Sequence, residues 1–151
     1  MANKISEKSI SRTVEHIIYE IQMLRFAVSV LRKPNLPQSM INSFLEVFAI
    51  HARNLYYFLY TDIQNRQKDD VIFEDYILNK KLFKSQRTPK EKLKIIIKKT
   101  AKQVAHISYY RIRYNQRTKP WKFYDIYMKL EKTISAFKSA LPENRKEWFK
   151  I

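Results

Sequence analysis

The chain has 151 residues, of which 45% are hydrophobic and 14% aromatic; that suffices for one domain, residues 1–151, around a single core and excludes a disordered polymer. Its 30 Lys and Arg against 14 Asp and Glu leave a formal charge of +16, and it has neither cysteine nor glycine. These absences exclude disulfide frameworks, thiolate metal sites, thiol nucleophiles, Walker-type phosphate loops and dinucleotide fingerprints, and the missing glycine turn signals leave an all-α chain.

The first helix is expected to start between Ser6 and Ser11 and to reach Arg32, because Val14, Ile17, Ile18, Ile21, Leu24, Val28 and Leu31 recur at three- and four-residue steps. Pro34 and Pro37 end it. Arg25 falls about 40° from the stripe centre, where a packed stem with its head snorkelling to water is expected. A second helix follows from Ser39 to Asp62, with Ile41, Leu45, Phe48, Ala52, Leu55 and Leu59 on one side and Phe44, Val47 and Phe58 widening it. Around Ala52, His51 lies about 100° to one side and Arg53 about 100° to the other; Asn54 shares the His51 flank, while Tyr56, Tyr57 and Tyr60 share that of Arg53.

A polar break at 65–68 precedes Asp69 to Ile77, which suits a short helix capped by Asp69 or Asp70, although an extended run over Val71 to Phe73 fits equally. The acids of this stretch are expected to serve as caps and ion-pair partners. Residues 79–87 read as a polar, basic connection. Thr88-Pro89-Lys90-Glu91 then matches a capping box with proline at the first helical position, opening a third long helix to Tyr114. Its core side is expected at Leu93, Ile97, Ala101, Val104 and Ser108, with Ile96 and Ile107 beside it and Arg111 along the same stripe; Lys99, Lys102, His106, Tyr110 and Arg113 gather opposite. A fourth long helix opens after Lys119-Pro120-Trp121 with Phe123, Tyr127, Leu130, Ile134, Phe137 and Leu141 inward. Pro142 closes it before a short amphipathic segment with Trp148 and Phe149. The expected fold is an all-α, up-and-down bundle of four long helices plus two short helices.

The charge is not spread evenly. Residues 80–122 hold fifteen Lys or Arg against one acid, Glu91, whereas residues 1–79 hold nine of each sign. Such a band points to an anionic partner. Lysines and arginines neutralise phosphates without reading sequence, and Tyr109, Tyr110, Tyr114 and Trp121 lie among them, available to stack on unpaired bases. The expected function is polyanion binding, RNA preferred over other nucleic acid, with Lys94, Lys98, Lys99, Lys102, His106, Tyr110, Arg113, Arg117 and Lys119 as the contacts. An acidic protein surface docked by the same face, including one that the protein inhibits, is the non-enzymatic alternative. Membrane binding ranks below these: the basic helix shows no exposed apolar face beyond what a core requires, and no apolar run approaches the roughly 18 residues that span a bilayer. With no apolar signal core at the N-terminus, a cytoplasmic location is expected.

Metal and cofactor chemistry is not expected, since His16, His51 and His106 sit on three separate predicted helices without ligand spacing. Arg53-Asn54, on the second long helix of a small bundle, resembles the front half of the Arg-polar-x4-His signature of HEPN-type domains; the histidine expected a few residues on is replaced by Tyr57, Phe58, Leu59 and Tyr60. That resemblance implies an all-α domain that often dimerises and acts as a metal-independent ribonuclease in toxin and defence systems. Under it, Arg53 stabilises developing phosphate charge beside Asn54; in place of the missing motif histidine, His106 would supply the imidazole that moves protons during attack by the RNA 2′-hydroxyl if the third helix faced the Arg53 flank of the second, as would a partner subunit in a dimer.

Overall fold

A computed structural model describes residues 5–105, 107, 109, 112 and 121–150. Helix α1 (Glu7–Leu31) starts at Ser6, whose hydroxyl accepts the Ser9 N–H at 3.2 Å, as an N-cap does. Its inner face is Ile10, Val14, Ile17, Ile21, Leu24 and Val28, all buried. A short connection carries Asn35 at φ 58°, a left-handed position that asparagine tolerates, and Pro37 precedes helix α2 (Gln38–Tyr60). Helix α2 buries Phe48, Ala52, Leu55 and Leu59 as its stripe predicts, together with Phe58; Ile41 and Leu45, near its start, are only half-buried.

The connection to the next helix is irregular. Ile72 is extended, in keeping with its β-branching, and a 3-10 turn follows over Phe73–Asp75. The capping carboxylate is that of Asp75, which accepts the Ile72 N–H at 3.1 Å and pairs with Arg66 at 2.8 Å, while Asp70 accepts the Gln67 N–H. Ile72, Phe73, Tyr76 and Ile77 plug the core, and burial pushes the Tyr76 hydroxyl up to about 12.

Two departures from the sequence reading fall in the basic band. Residues expected to form a basic connection instead form helix α3 (Lys80–Gln86), capped by Asn79, whose side-chain oxygen accepts the Leu82 N–H at 3.0 Å. One residue anchors it: Phe83 is fully buried, 4.9 Å from the Phe73 ring and 6.2 Å from that of Phe137. Lys80 and Lys84 are drawn inward to Glu74 and Asp62, each at 2.5 Å. Two adjacent apolar side chains, Leu82 and Phe83, in two turns leave no period to detect.

The second departure is at Thr88. Its hydroxyl donates to the Lys129 carbonyl at 2.9 Å, its N–H to the Thr133 hydroxyl, and its own carbonyl accepts the Tyr60 hydroxyl at 2.7 Å. Tied into this buried polar knot, Thr88 caps nothing. The predicted third helix begins as a 3-10 turn over Lys90–Lys92, continues as α4 (Lys94–Lys99) and widens into a π-helix over Thr100–Ala105. Its inner face is rotated from the predicted one: Leu93, Ile96 and Thr100 are buried, Ile97, Ala101 and Val104 half-buried, and Ile107 is 95% exposed. Ser108, Arg111 and Tyr114 lie outside the described residues.

Helix α5 (Phe123–Ala140) follows, with Ile126, Leu130, Ile134 and Phe137 inside. After Pro142, α6 (Glu143–Lys146) and a 3-10 turn over Glu147–Phe149 fold across the bundle end. Phe149 packs on Tyr76 and Phe137, and Arg145 donates to the carbonyls of Asp75 and Tyr76 and pairs with Glu7. The fold is therefore the expected all-α bundle, built from α1, α2, the Lys90–Ala105 run and α5, with short helices closing it; no strand occurs among the described residues. Arg25 does not simply snorkel: its guanidinium forks onto Glu131 at 2.7 and 3.0 Å, joining α1 to α5, and the hydrogen bond to Glu131 raises its pKa. Among the described residues, no helix is long and apolar enough to cross a membrane.

Candidate functional site

A cleft of about 980 Å³ opens between the C-terminal half of α2, the connection that follows it, and Lys90 to Lys98. Helix α2 sets its floor. At about 100° per residue, Arg53, Tyr57 and Asn54 succeed one another around the face of α2 turned from the core, with Tyr57 between the other two. Tyr57 is 45% exposed, and the Arg53 guanidinium lies 5.6 Å over its ring. Tyr56, Phe58 and Tyr60 extend the apolar floor from below.

One wall is cationic. Lys90 on the 3-10 turn and Lys94 and Lys98, four residues apart on α4, line the cleft together with Arg53, and all four residues are exposed. Among the described residues, none of the four makes an ion pair. Like charges at this spacing destabilise a helix by a few tenths of a kcal/mol per pair, about 0.2–0.5 in isolated helices, and an arriving anion removes that repulsion. The opposite wall comes from the connection: Asn65, Gln67 and Asp70, the last being the one acid among the described lining residues.

The structure sorts the predicted contacts. Lys94 and Lys98 enter the cleft with Arg53, so the basic face and the Arg53 flank of α2 meet in one place. Lys99 does not face outward; its ammonium lies 5.6 Å over the Trp121 ring, and burial followed by the nearby Lys122 charge lowers its pKa. Lys102 is exposed on the π-helical turn, away from the cleft lining. Trp121 is half-buried, donates to Gln103 at 2.9 Å and meets Phe48 edge-on, so it is a packing residue and not a free stacking platform; Tyr109 is 91% exposed. His106, Tyr110, Arg113, Arg117 and Lys119 lie outside the described residues.

Arg53 and Asn54 border the same cleft but are differently engaged. The Asn54 amide donates to Glu20 at 3.1 Å, and the same carboxylate oxygen lies 2.6 Å from His51 Nδ1, with Tyr19 edge-on to the imidazole. His51 is buried, and this triad clamps α1 to α2. The shared flank of His51 and Asn54 was legible from the helix period, whereas Glu20 as their joint partner was not. Equally illegible were Asn65, Gln67 and Asp70, because an irregular connection has no period from which to assign a face. Arg87, counted in the basic band, turns inward: it donates to the Leu59 carbonyl at 2.7 Å beneath the rings of Tyr60, Phe73 and Phe83, and burial lowers its pKa. No protein-family model, curated protein or solved structure matches this chain.

Proposed function

We propose that this protein binds a polyanion, with RNA preferred, through a phosphate-reading face centred on the cleft. The observation that carries the reading is the convergence of Arg53, Lys90, Lys94 and Lys98, without ion-pair partners among the described residues, around an exposed tyrosine. The cations neutralise phosphates and release counterions; the tyrosine with its overlying guanidinium offers a flat surface for an unpaired base. Stacking on an aromatic side chain needs an unpaired base, which favours a single strand over a duplex groove.

The test is binding of a labelled, unstructured RNA across a salt series. Four neutralised phosphates give a log-log slope of about −2.8 at roughly 0.7 per contact on a single strand, so affinity falls about 50-fold between 50 and 200 mM salt. Lys94→Ala and Lys98→Ala each lower the slope by about 0.7. Lys138→Ala, on α5 and outside the cleft, serves as the control and leaves it unchanged. Binding indifferent to both cleft substitutions overturns the assignment.

A further inference from the structure

We infer that the cleft reads a base as well as phosphates, seating an unpaired guanosine unit of a single strand with Asp70 accepting hydrogen bonds from the base edge. This inference rests on the RNA-binding reading and goes further, because it assigns the wall that phosphate binding leaves unexplained.

The two walls differ in chemistry. Lys90, Lys94 and Lys98 line the cleft together with Arg53 of α2. The Asn54 flank faces the connection, since Val71 meets Asn54 and Phe58 around a second, smaller cavity of about 170 Å³ against α1. A groove that only tracked a phosphate chain would be basic on both sides. Here the lining contributed by the connection carries two amides, Asn65 and Gln67, and the Asp70 carboxylate, which repels phosphate and accepts hydrogen bonds from N–H groups. The volume lies at the upper end of the roughly 300–1,000 Å³ range of small-ligand sites, enough for a nucleotide with its flanking phosphates.

Asp70 is positioned for one base in particular. One of its oxygens accepts the Gln67 N–H at 3.0 Å, which restrains the carboxylate, and the exposed residue lines both the cleft and a smaller cavity of about 200 Å³ on the α1 side. Guanine alone among the standard bases presents two adjacent donors, N1–H and the 2-amino group, on its Watson–Crick edge. Adenine and cytosine place a ring acceptor there, which a carboxylate repels. With the base stacked at Tyr57 and its phosphates at Arg53, Lys94 and Lys98, the edge turns to the Asp70 wall.

The experiment uses the full chain and two short labelled RNAs, oligo-uridine and the same strand with one central guanosine, plus an inosine version that lacks the 2-amino group. The guanosine strand is expected to bind on the order of tenfold tighter than oligo-uridine, with inosine between them. Asp70→Asn keeps an acceptor for the Gln67 N–H; it is expected to abolish the guanosine preference while tightening binding of oligo-uridine, because an acid leaves a basic cleft. A merely structural Asp70 would weaken both strands together. Equal binding of the guanosine and uridine strands, or a preference that survives Asp70→Asn, overturns base reading and leaves phosphate reading standing. No binding of either strand overturns both.

Discussion

Arg87 tests whether a charge of the basic band holds the fold or belongs to the proposed binding face. Its guanidinium centre lies 4.6 Å from the Tyr60 ring, 5.3 Å from Phe73 and 5.4 Å from Phe83, and Nη1 donates to the Leu59 carbonyl. Leu59 belongs to the last turn of α2, where carbonyls lack helical partners, so Arg87 caps a helix end from another element. Removing the side chain leaves that carbonyl without its charged donor, a loss of about 1.5–3 kcal/mol, and forfeits stacking worth roughly 0.5–2 kcal/mol. Because the two overlap, Arg87→Ala is expected to destabilise by about 3 kcal/mol. Arg87→Lys retains the charge but loses the plane, and is expected to lose more than half of that. Urea denaturation gives the stability, and RNA binding of the folded variants is measured alongside it. Affinity should be unchanged in Arg87→Lys, whereas Lys94→Ala weakens binding without lowering stability. If Arg87→Lys were as stable as the parent and bound RNA as poorly as Lys94→Ala, Arg87 would belong to the binding face and the internal assignment would be wrong.

Two further outcomes test the packing that shapes the cleft. Phe83→Ala should destabilise by roughly 3–5 kcal/mol in urea denaturation, whereas Leu82→Ala, beside it but 46% exposed, should stay within about 0.5 kcal/mol; equal small effects would return α3 to a surface connection. Alkaline titration tests the buried hydroxyls. Burial raises the pKa of Tyr60 and Tyr56 and takes Tyr76 to about 12, above the ordinary value of about 10 in an unfolded chain. The folded state thus favours their neutral form, and the stability this contributes is fully present below about pH 10 and lost as pH rises toward about 12. Ultraviolet titration should show these tyrosines ionising only with unfolding, and Tyr76→Phe should flatten the alkaline stability loss; smooth ionisation of every tyrosine near pH 10 in the folded protein would contradict their burial.

The amino-acid sequence by itself determined the helical class, the inner stripes of α1, α2 and α5, the breaks at Pro34, Pro37 and Pro142, and the concentration of positive charge in one band. These are properties of period and local backbone chemistry, which act over a few residues and are visible without knowing what packs where. It also placed Arg53 among tyrosines on one flank of α2 and His51 with Asn54 on the other, because both follow from the same 100° step.

Tertiary structure decided which charges are available. Lys84 with Asp62, Lys80 with Glu74, Arg87 under three rings and Lys99 over Trp121 are all contacts between separate elements, and they withdraw part of the basic band from any partner. The capping box at Thr88 was locally complete, yet Tyr60 and Thr133, 28 and 45 residues away, claimed its backbone and shifted the start and inner face of the segment that follows. The cleft has the same origin: its cations come from α2 and from Lys90 to Lys98, and its polar wall comes from a connection with no periodicity. A repeating pattern along the chain states which face of a helix is buried. Packing between distant segments settles what that face meets, and here Arg53, Lys94 and Asp70, from three separate segments, line one space.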